Sequence, residues 1–147
     1  MKLKNQIPNL ITLLNLLAGI FSIYLGMKGD LLNSAYCIFV AAVFDFFDGF
    51  AARLLNAKSD IGLQLDSLAD VVSFGVAPGF IMFQMISLSL GSDSDSNLPF
   101  LGFIIPLFSA LRLAKFNVDE NQTDSFIGVP TPTVALLIAS FPIIILQ

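Results

Sequence analysis

The 147-residue sequence has no histidine, no tryptophan and a single cysteine, and only 12% of it is charged. Without histidine, Ser-His-Asp and Cys-His relays and His-ligated zinc are excluded. Proton transfer must fall to carboxylates, lysine, tyrosine or the thiol. A lone Cys37 cannot form an internal disulfide. Basic residues number only 7 against 11 acidic ones, for a net charge of −4, so no basic nucleic-acid surface is available. Soluble domains carry about 25% charged residues. The deficit lies in charge-free stretches at Asn5–Met27, Leu31–Phe44, Val71–Ser92, Ser96–Leu111 and Ser125–Gln147. Several reach the roughly 17–25 residues that cross a bilayer as a helix.

What is present is apolar: 56% of residues are hydrophobic. Backbone polar groups in lipid are satisfied only in helices or a closed barrel. The runs are continuous rather than alternating and about twice the length of a barrel strand. The expected fold is therefore all-α, a polytopic transmembrane bundle. Helix 1 is expected over Pro8–Met27, then a tight turn at Lys28-Gly29-Asp30. Helix 2 is expected from an N-cap at Asn33 or Ser34 to Leu55. A polar link, Asn56–Asp60, leads to helix 3, ending near Leu90. The polar loop Gly91–Asn97 precedes helix 4, Pro99–Phe116, and the segment Asn117–Thr131 precedes helix 5. The basic start followed by an apolar run lacks a small-x-small cleavage site, so helix 1 is expected to be retained.

Orientation is read from the basic residues. Lys2, Lys4, Arg53, Lys58, Arg112 and Lys115 fall on one side of these spans, and only Lys28 on the other. The N-terminus and both basic links are expected to face the cytoplasm, in a multi-pass protein of the cell membrane. Tyr24 and Tyr36 fit interfacial anchors at the opposite face, and the sequon Asn121-Gln122-Thr123 lies on the cytoplasmic side, where it is a chance match. Phe44, Phe46, Phe47 and Phe50 are read as lipid-facing or packing residues.

Asp45 and Asp48 are three apart on helix 2, and Asp66 and Asp70 are four apart on helix 3. Both spacings put a pair on one helical face. At 1.5 Å per residue, Asp45 lies about 15 Å from the cytoplasmic end of helix 2. Carboxylates at this depth mark function by default. A short link makes helices 2 and 3 antiparallel neighbours, so the four groups can converge. They cannot all stay ionised together without cations. Two divalent ions balance the charge, and oxygen ligands favour Mg²⁺, Mn²⁺ or Ca²⁺. Paired ions of this kind commonly clamp a phosphoryl transfer. Gly49, Ala52 and Gly62 keep the neighbouring backbone approachable, and Arg53 offers a fork suited to phosphate.

The run Asp45-x2-Asp48-Gly49-x2-Ala52-Arg53-x8-Gly62-x3-Asp66-x3-Asp70 resembles the signature of the CDP-alcohol phosphatidyltransferase family at every fixed position. Further segments are similar to its membrane-type phosphatidylserine synthases: Ile7–Thr12, Asp66–Pro78, Leu111–Asn117 and Phe126–Pro132. The resemblance covers nearly the whole chain. It implies a single transmembrane domain over residues 1–147; the family typically has six helices and this sequence stops in the fifth, so either the sixth is absent or the chain has been cut. It also implies a membrane enzyme that displaces CMP from CDP-diacylglycerol with an acceptor hydroxyl, here L-serine, and that forms a homodimer. By the same resemblance, Asp45, Asp48, Asp66 and Asp70 hold two divalent cations, and Asp70 is the general base. Asn9, Thr12, Gly49, Ala52, Arg53 and Gly62 are candidates for the nucleotide and diphosphate.

Arg112, Lys115 and Asn117 are the candidates for serine, since its carboxylate needs a cation away from the aspartates. Other roles fit several of these residues: helix capping for Asn9, Thr12 and Asn117, and membrane anchoring for Arg112 and Lys115. Two other functions are also weighed. A sister transferase using glycerol 3-phosphate or inositol phosphate calls for a denser basic cluster. A cation channel or carrier explains the acids but not Gly49, Ala52, Arg53 and Gly62 at fixed spacing.

Overall fold

The computed structural model describes residues 3–91, 96–118 and 130–146, with side chains from residue 6 onward. Lys2, the Lys4 side chain, the Asn121–Thr123 sequon and most of the Gly91–Asn97 loop and the Phe126–Pro132 segment lie outside the described residues. Among the described residues the fold is all-helical. We number five rods: α1 Leu3–Met27, α2 Leu31–Leu54, α3 Asp60–Leu90, α4 Leu98–Val118 and α5 Thr131–Leu146. The first four are long and apolar enough to cross a membrane, and α5 is a shorter apolar helix of 16 residues. The chain is a membrane-embedded helical bundle.

Its surface is apolar and its interior is made of small and polar residues. On α1 the buried stripe is Pro8, Thr12, Asn15, Ala18, Ser22 and Gly26, while Leu10, Leu17, Phe21 and Tyr24 point outward. Lipid supplies no hydrophobic drive between helices, so close backbone approach and interhelical hydrogen bonds take over. Ser22 and Ser34 show both. Each hydroxyl donates to the other residue's carbonyl, at 2.8 and 2.7 Å, and both side chains are buried. Ala35, Ile38, Ala41, Phe74, Ala77, Ile81, Ala135 and Ala139 complete the core.

Several boundaries differ from expectation. α1 extends back past Pro8 to Leu3; a proline this near a helix start disturbs only one carbonyl, four residues earlier. α2 is capped by Asp30 rather than Asn33 or Ser34. The Asp30 carboxylate accepts from the Asn33 backbone N–H at 3.2 Å and from its amide at 2.8 Å. That leaves the Ser34 hydroxyl free for its bond to α1. α3 starts at Asp60 with Ser59 as N-cap, its hydroxyl accepting from Gly62 N–H at 3.1 Å. α4 begins as a 3₁₀ segment, Leu98–Phe103, and runs to Val118, so Asn117 sits inside the helix rather than capping it.

The expected third helix is interrupted without being broken. A π-helical segment occupies Val72–Val76, where the Ala77 N–H bonds to the Val72 carbonyl. Pro78 follows directly and has no N–H to give. A local π turn is one way a helix absorbs such a residue.

The first half of α3, Asp60–Val71, packs on α1 rather than along α2. The backbone contacts of α2 with α3 concentrate at the π segment and beyond, while Asp45 and Asp48 reach Asp66 and Asp70 of the first half through their side chains. The two helices are therefore splayed at the end joined by the short link, while Asp45, Asp48 and Asp66 still converge, as expected of antiparallel neighbours. α5 packs on α2, and α4 on α3.

Candidate active site

The splay opens a cavity of about 600 Å³ between α1, α2 and the start of α3. Asp48, Gly49, Ala52 and Arg53 of α2 line one wall, and Gly62, Leu63 and Asp66 of α3 the other. Pro8, Asn9 and Thr12 of α1 form its back. The link closes the rim with Ala57, Lys58 and Ser59, and Phe116 reaches in from α4. Asn56 allows the link to turn so sharply by adopting a left-handed backbone, φ 48°, a conformation asparagine tolerates better than most residues.

Asp48 and Asp66 line the cavity, and behind them Asp45 completes a triad in which each residue presents a carboxylate oxygen within 4.8 Å of the other two. Asp48 is only 5% exposed. Its Oδ2, and Oδ1 of Asp66, are buried with no hydrogen-bond partner among the described residues. The charged groups facing these acids are one another. Orphaned carboxylate oxygens converging from two helices fit a hard divalent cation, which takes oxygen ligands. The donor set therefore passes the test of fit for a metal.

Asp70 lies outside that triad, one turn deeper on α3 and 8% exposed. Its carboxyl faces that of Asp45, and its Oδ1 accepts from the Asn15 amide at 3.4 Å. Facing buried carboxyls call for a proton or a cation to share.

The site residues expected from the sequence separate into two groups. Asn9, Thr12, Gly49, Ala52, Arg53 and Gly62 all line the cavity with Asp48 and Asp66. The Thr12 hydroxyl bonds to the Pro8 carbonyl at 3.0 Å and also faces Asp48. Arg112 lines a different cavity, of about 360 Å³, between α4 and α5 with Ile104, Ile105, Phe108, Ser109, Thr131 and Val134. Lys115 lines neither, while the Asn117 amide donates to the Ser67 hydroxyl at 2.8 Å beside Asp66. Residues not anticipated from sequence are Lys58, Ser59 and Phe116 at the rim, and Asn15 below the floor. Asn15 had a legible signal, an amide three residues beyond Thr12 inside a charge-free span.

Comparison with known proteins agrees with this geometry. A sequence model of the CDP-alcohol phosphatidyltransferase family matches residues 5–147. The CDP-diacylglycerol–serine O-phosphatidyltransferase of Bacillus subtilis is 38% identical over 143 residues, 93% of this chain and 76% of that protein. The protein of the same name from Methanocaldococcus jannaschii is 39% identical over 136 residues, 92% of this chain and 59% of its own length. The archaetidylserine synthase of Methanothermobacter thermautotrophicus is 36% identical, covering 92% and 57%. The chain thus spans about three quarters of the first relative and less than two thirds of the other two. With the family model covering all but its first four residues, and relatives more than 30% identical over most of its length, the chain belongs to the CDP-alcohol phosphatidyltransferase family.

Proposed function

We propose that the protein is a phosphatidylserine synthase that transfers the phosphatidyl group of CDP-diacylglycerol to the hydroxyl of L-serine and releases CMP. The observation that carries this reading is the acidic triad Asp45, Asp48 and Asp66, two members of which, Asp48 and Asp66, line a cavity together with Gly49, Ala52, Arg53 and Gly62. The names of the relatives support serine as acceptor.

In this reading the cytidine and diphosphate occupy the cavity. Arg53 neutralises charge that grows on the diphosphate as CMP leaves. Gly49 and Gly62 let the ligand approach the backbone, and Asn9 and Thr12 face the nucleotide. The serine hydroxyl oxygen forms the new bond to the phosphatidyl phosphorus. The phosphoanhydride bond breaks, its electrons leave with the CMP phosphate, and Asp70 accepts the hydroxyl proton. Two divalent cations, Mg²⁺ or Mn²⁺ with Ca²⁺ as another occupant, would be held by Asp45, Asp48 and Asp66 with Asp70 completing the set, and supply charge stabilisation at the transferring phosphate.

The cavity lies at the end of the bundle where α1 begins, α2 and α3 are linked and α4 ends. Six of the seven basic residues belong to that end. That asymmetry supports a mouth facing the cytoplasm across the cell membrane, with the lipid tails lying between helices. A homodimer is the assembly implied by family resemblance. Arg112 is the side chain proposed for the serine carboxylate, as its fork binds a carboxylate through two parallel hydrogen bonds, with Lys115 and Asn117 nearby along α4.

The test is CMP release by the purified chain with CDP-diacylglycerol and each acceptor in turn. Release with serine, and not with glycerol 3-phosphate or inositol phosphate, is the expected result. Release with a phosphorylated acceptor alone would refute the serine assignment. Cation flux in proteoliposomes without nucleotide would replace the enzyme reading by a channel. Arg112→Ala should raise KM for serine about tenfold, or about 1.4 kcal/mol, while Arg112→Lys recovers only part. Unchanged serine kinetics would leave Arg112 a membrane anchor.

A further inference from the structure

Asn15 has no place in the family signature and does not line the cavity, yet it is completely buried and tied to the site at two points. Its side-chain amide donates to Asp70 Oδ1 at 3.4 Å. Its backbone carbonyl accepts from the hydroxyl of Ser73, also completely buried, at 3.0 Å. Asp70 and Ser73 are one turn apart, just before and just inside the start of the π segment, so a single residue of α1 grips α3 where its pitch changes.

The next turn of α1 fixes the distance between the two helices. A Cβ on Gly19 would collide with the Ser73 hydroxyl and lie 2.8 Å from its Cα. Backbone therefore rests against backbone, and the span across which Asn15 reaches Asp70 is set. The remaining amide oxygen, Asn15 Oδ1, is buried with no hydrogen-bond partner among the described residues. An unmet acceptor in an apolar bundle is a cost that leucine, of similar shape, would avoid. Fold stability alone does not account for an amide there.

We propose that Asn15 is a positioning residue for Asp70. Its N–H fixes the direction of the Asp70 carboxylate toward the cavity, and Ser73 holds Asn15 in register through the backbone. A helix that changes pitch from α to π beside the site leaves Asp70 with a less determined rotation than a regular helix would. The grip from α1 removes that freedom. This inference rests on the proposed role of Asp70 in proton transfer.

The experiment compares Asn15→Leu, Asn15→Asp, Ser73→Ala and Asp70→Asn in the purified chain, by CMP release with serine and by thermal denaturation in detergent. Asn15→Leu keeps the volume and removes both polar atoms; Asn15→Asp keeps the shape but replaces the neutral amide donor by a second carboxyl that must share a proton with Asp70. Both are expected to lower kcat at least about tenfold, with KM for CDP-diacylglycerol held within about twofold. Asn15→Leu should melt at or above the temperature of the parent. Ser73→Ala should lower kcat about threefold without changing KM.

A fall in kcat that only tracks a fall in melting temperature would make Asn15 structural and overturn the inference. So would an unchanged kcat, or a raised KM with kcat retained, which would make Asn15 a ligand contact. If neither Asn15 variant folds, Ser73→Ala decides, and an unchanged kcat there refutes the grip. Asp70→Asn separates the two levels. If it retains turnover, the role proposed for Asp70 fails; if it is inactive while Asn15→Leu is fully active, only the positioning role fails.

Discussion

Gly49 offers a perturbation in which stability and activity are expected to move in opposite directions. It lies in the interior of α2, next to Asp48, on the wall of the 600 Å³ cavity. A Cβ built there meets nothing within 4 Å. Alanine therefore introduces no clash in the protein itself, while it restricts the unfolded backbone and improves helix propensity by about 0.8–1.0 kcal/mol. For a chain of this size that is a rise in melting temperature of roughly 2–4 °C. The same methyl group stands where a diphosphate must approach the Asp48–Gly49 backbone. We expect KM for CDP-diacylglycerol to rise about tenfold, equivalent to about 1.4 kcal/mol. Thermal denaturation in detergent and CMP release at varied CDP-diacylglycerol give both quantities. Ala52→Val, one turn along the same wall, should shift KM in the same direction. A Gly49→Ala protein that melts lower would show that the wall is not open. One that melts higher with unchanged KM would show that the ligand does not approach Gly49, and the cavity assignment would fall.

Gly19 is the opposite case: Gly19→Ala drives a methyl group into the Ser73 backbone. Overpacking of about 1–3 kcal/mol should exceed the helix-propensity gain, so the variant should melt lower; a higher melting temperature would refute the close approach of α1 and α3. Ser22→Ala removes the hydroxyl donated to the Ser34 carbonyl but leaves the Ser34 hydroxyl its bond to the Ser22 carbonyl, so it should cost about 0.5–1.5 kcal/mol; because the two hydroxyls also lie 3.0 Å apart, Ser22→Ala with Ser34→Ala should cost less than the sum of the two single changes. Catalytic rates should be unaffected by either serine change, because the pair packs the α1–α2 turn end, away from the cavity, and a selective loss of kcat would contradict that placement. Excess chelator should abolish CMP release and Mg²⁺ or Mn²⁺ restore it, while Asp66→Asn should weaken Mn²⁺ binding measured directly on the protein; full turnover in chelator would remove the metal from the mechanism.

The class of fold and the composition of the site were legible in the sequence for local reasons. Charge-free runs of helical length leave lipid-embedded helices as the economical way to satisfy the backbone. Asp45 and Asp48, like Asp66 and Asp70, share a helical face because their spacing is close to one turn. Gly49, Ala52, Arg53 and Gly62 follow from the same register. What depends on two helices at once was decided by tertiary structure. The splay of α2 from the first half of α3 creates the cavity, and no local propensity encodes it. Packing also brings the Asp70 carboxyl against Asp45 and gives it a second partner in Asn15, fifty-five residues away. The cap of α2 passed from Ser34 to Asp30 because Ser34 had a partner on α1 that a linear reading could not supply. Arg112 and Asn117, five residues apart on α4, face a second cavity and the Ser67 hydroxyl respectively. Sequence spacing sets where a side chain leaves its helix, but which neighbour it meets is fixed only when the helices pack.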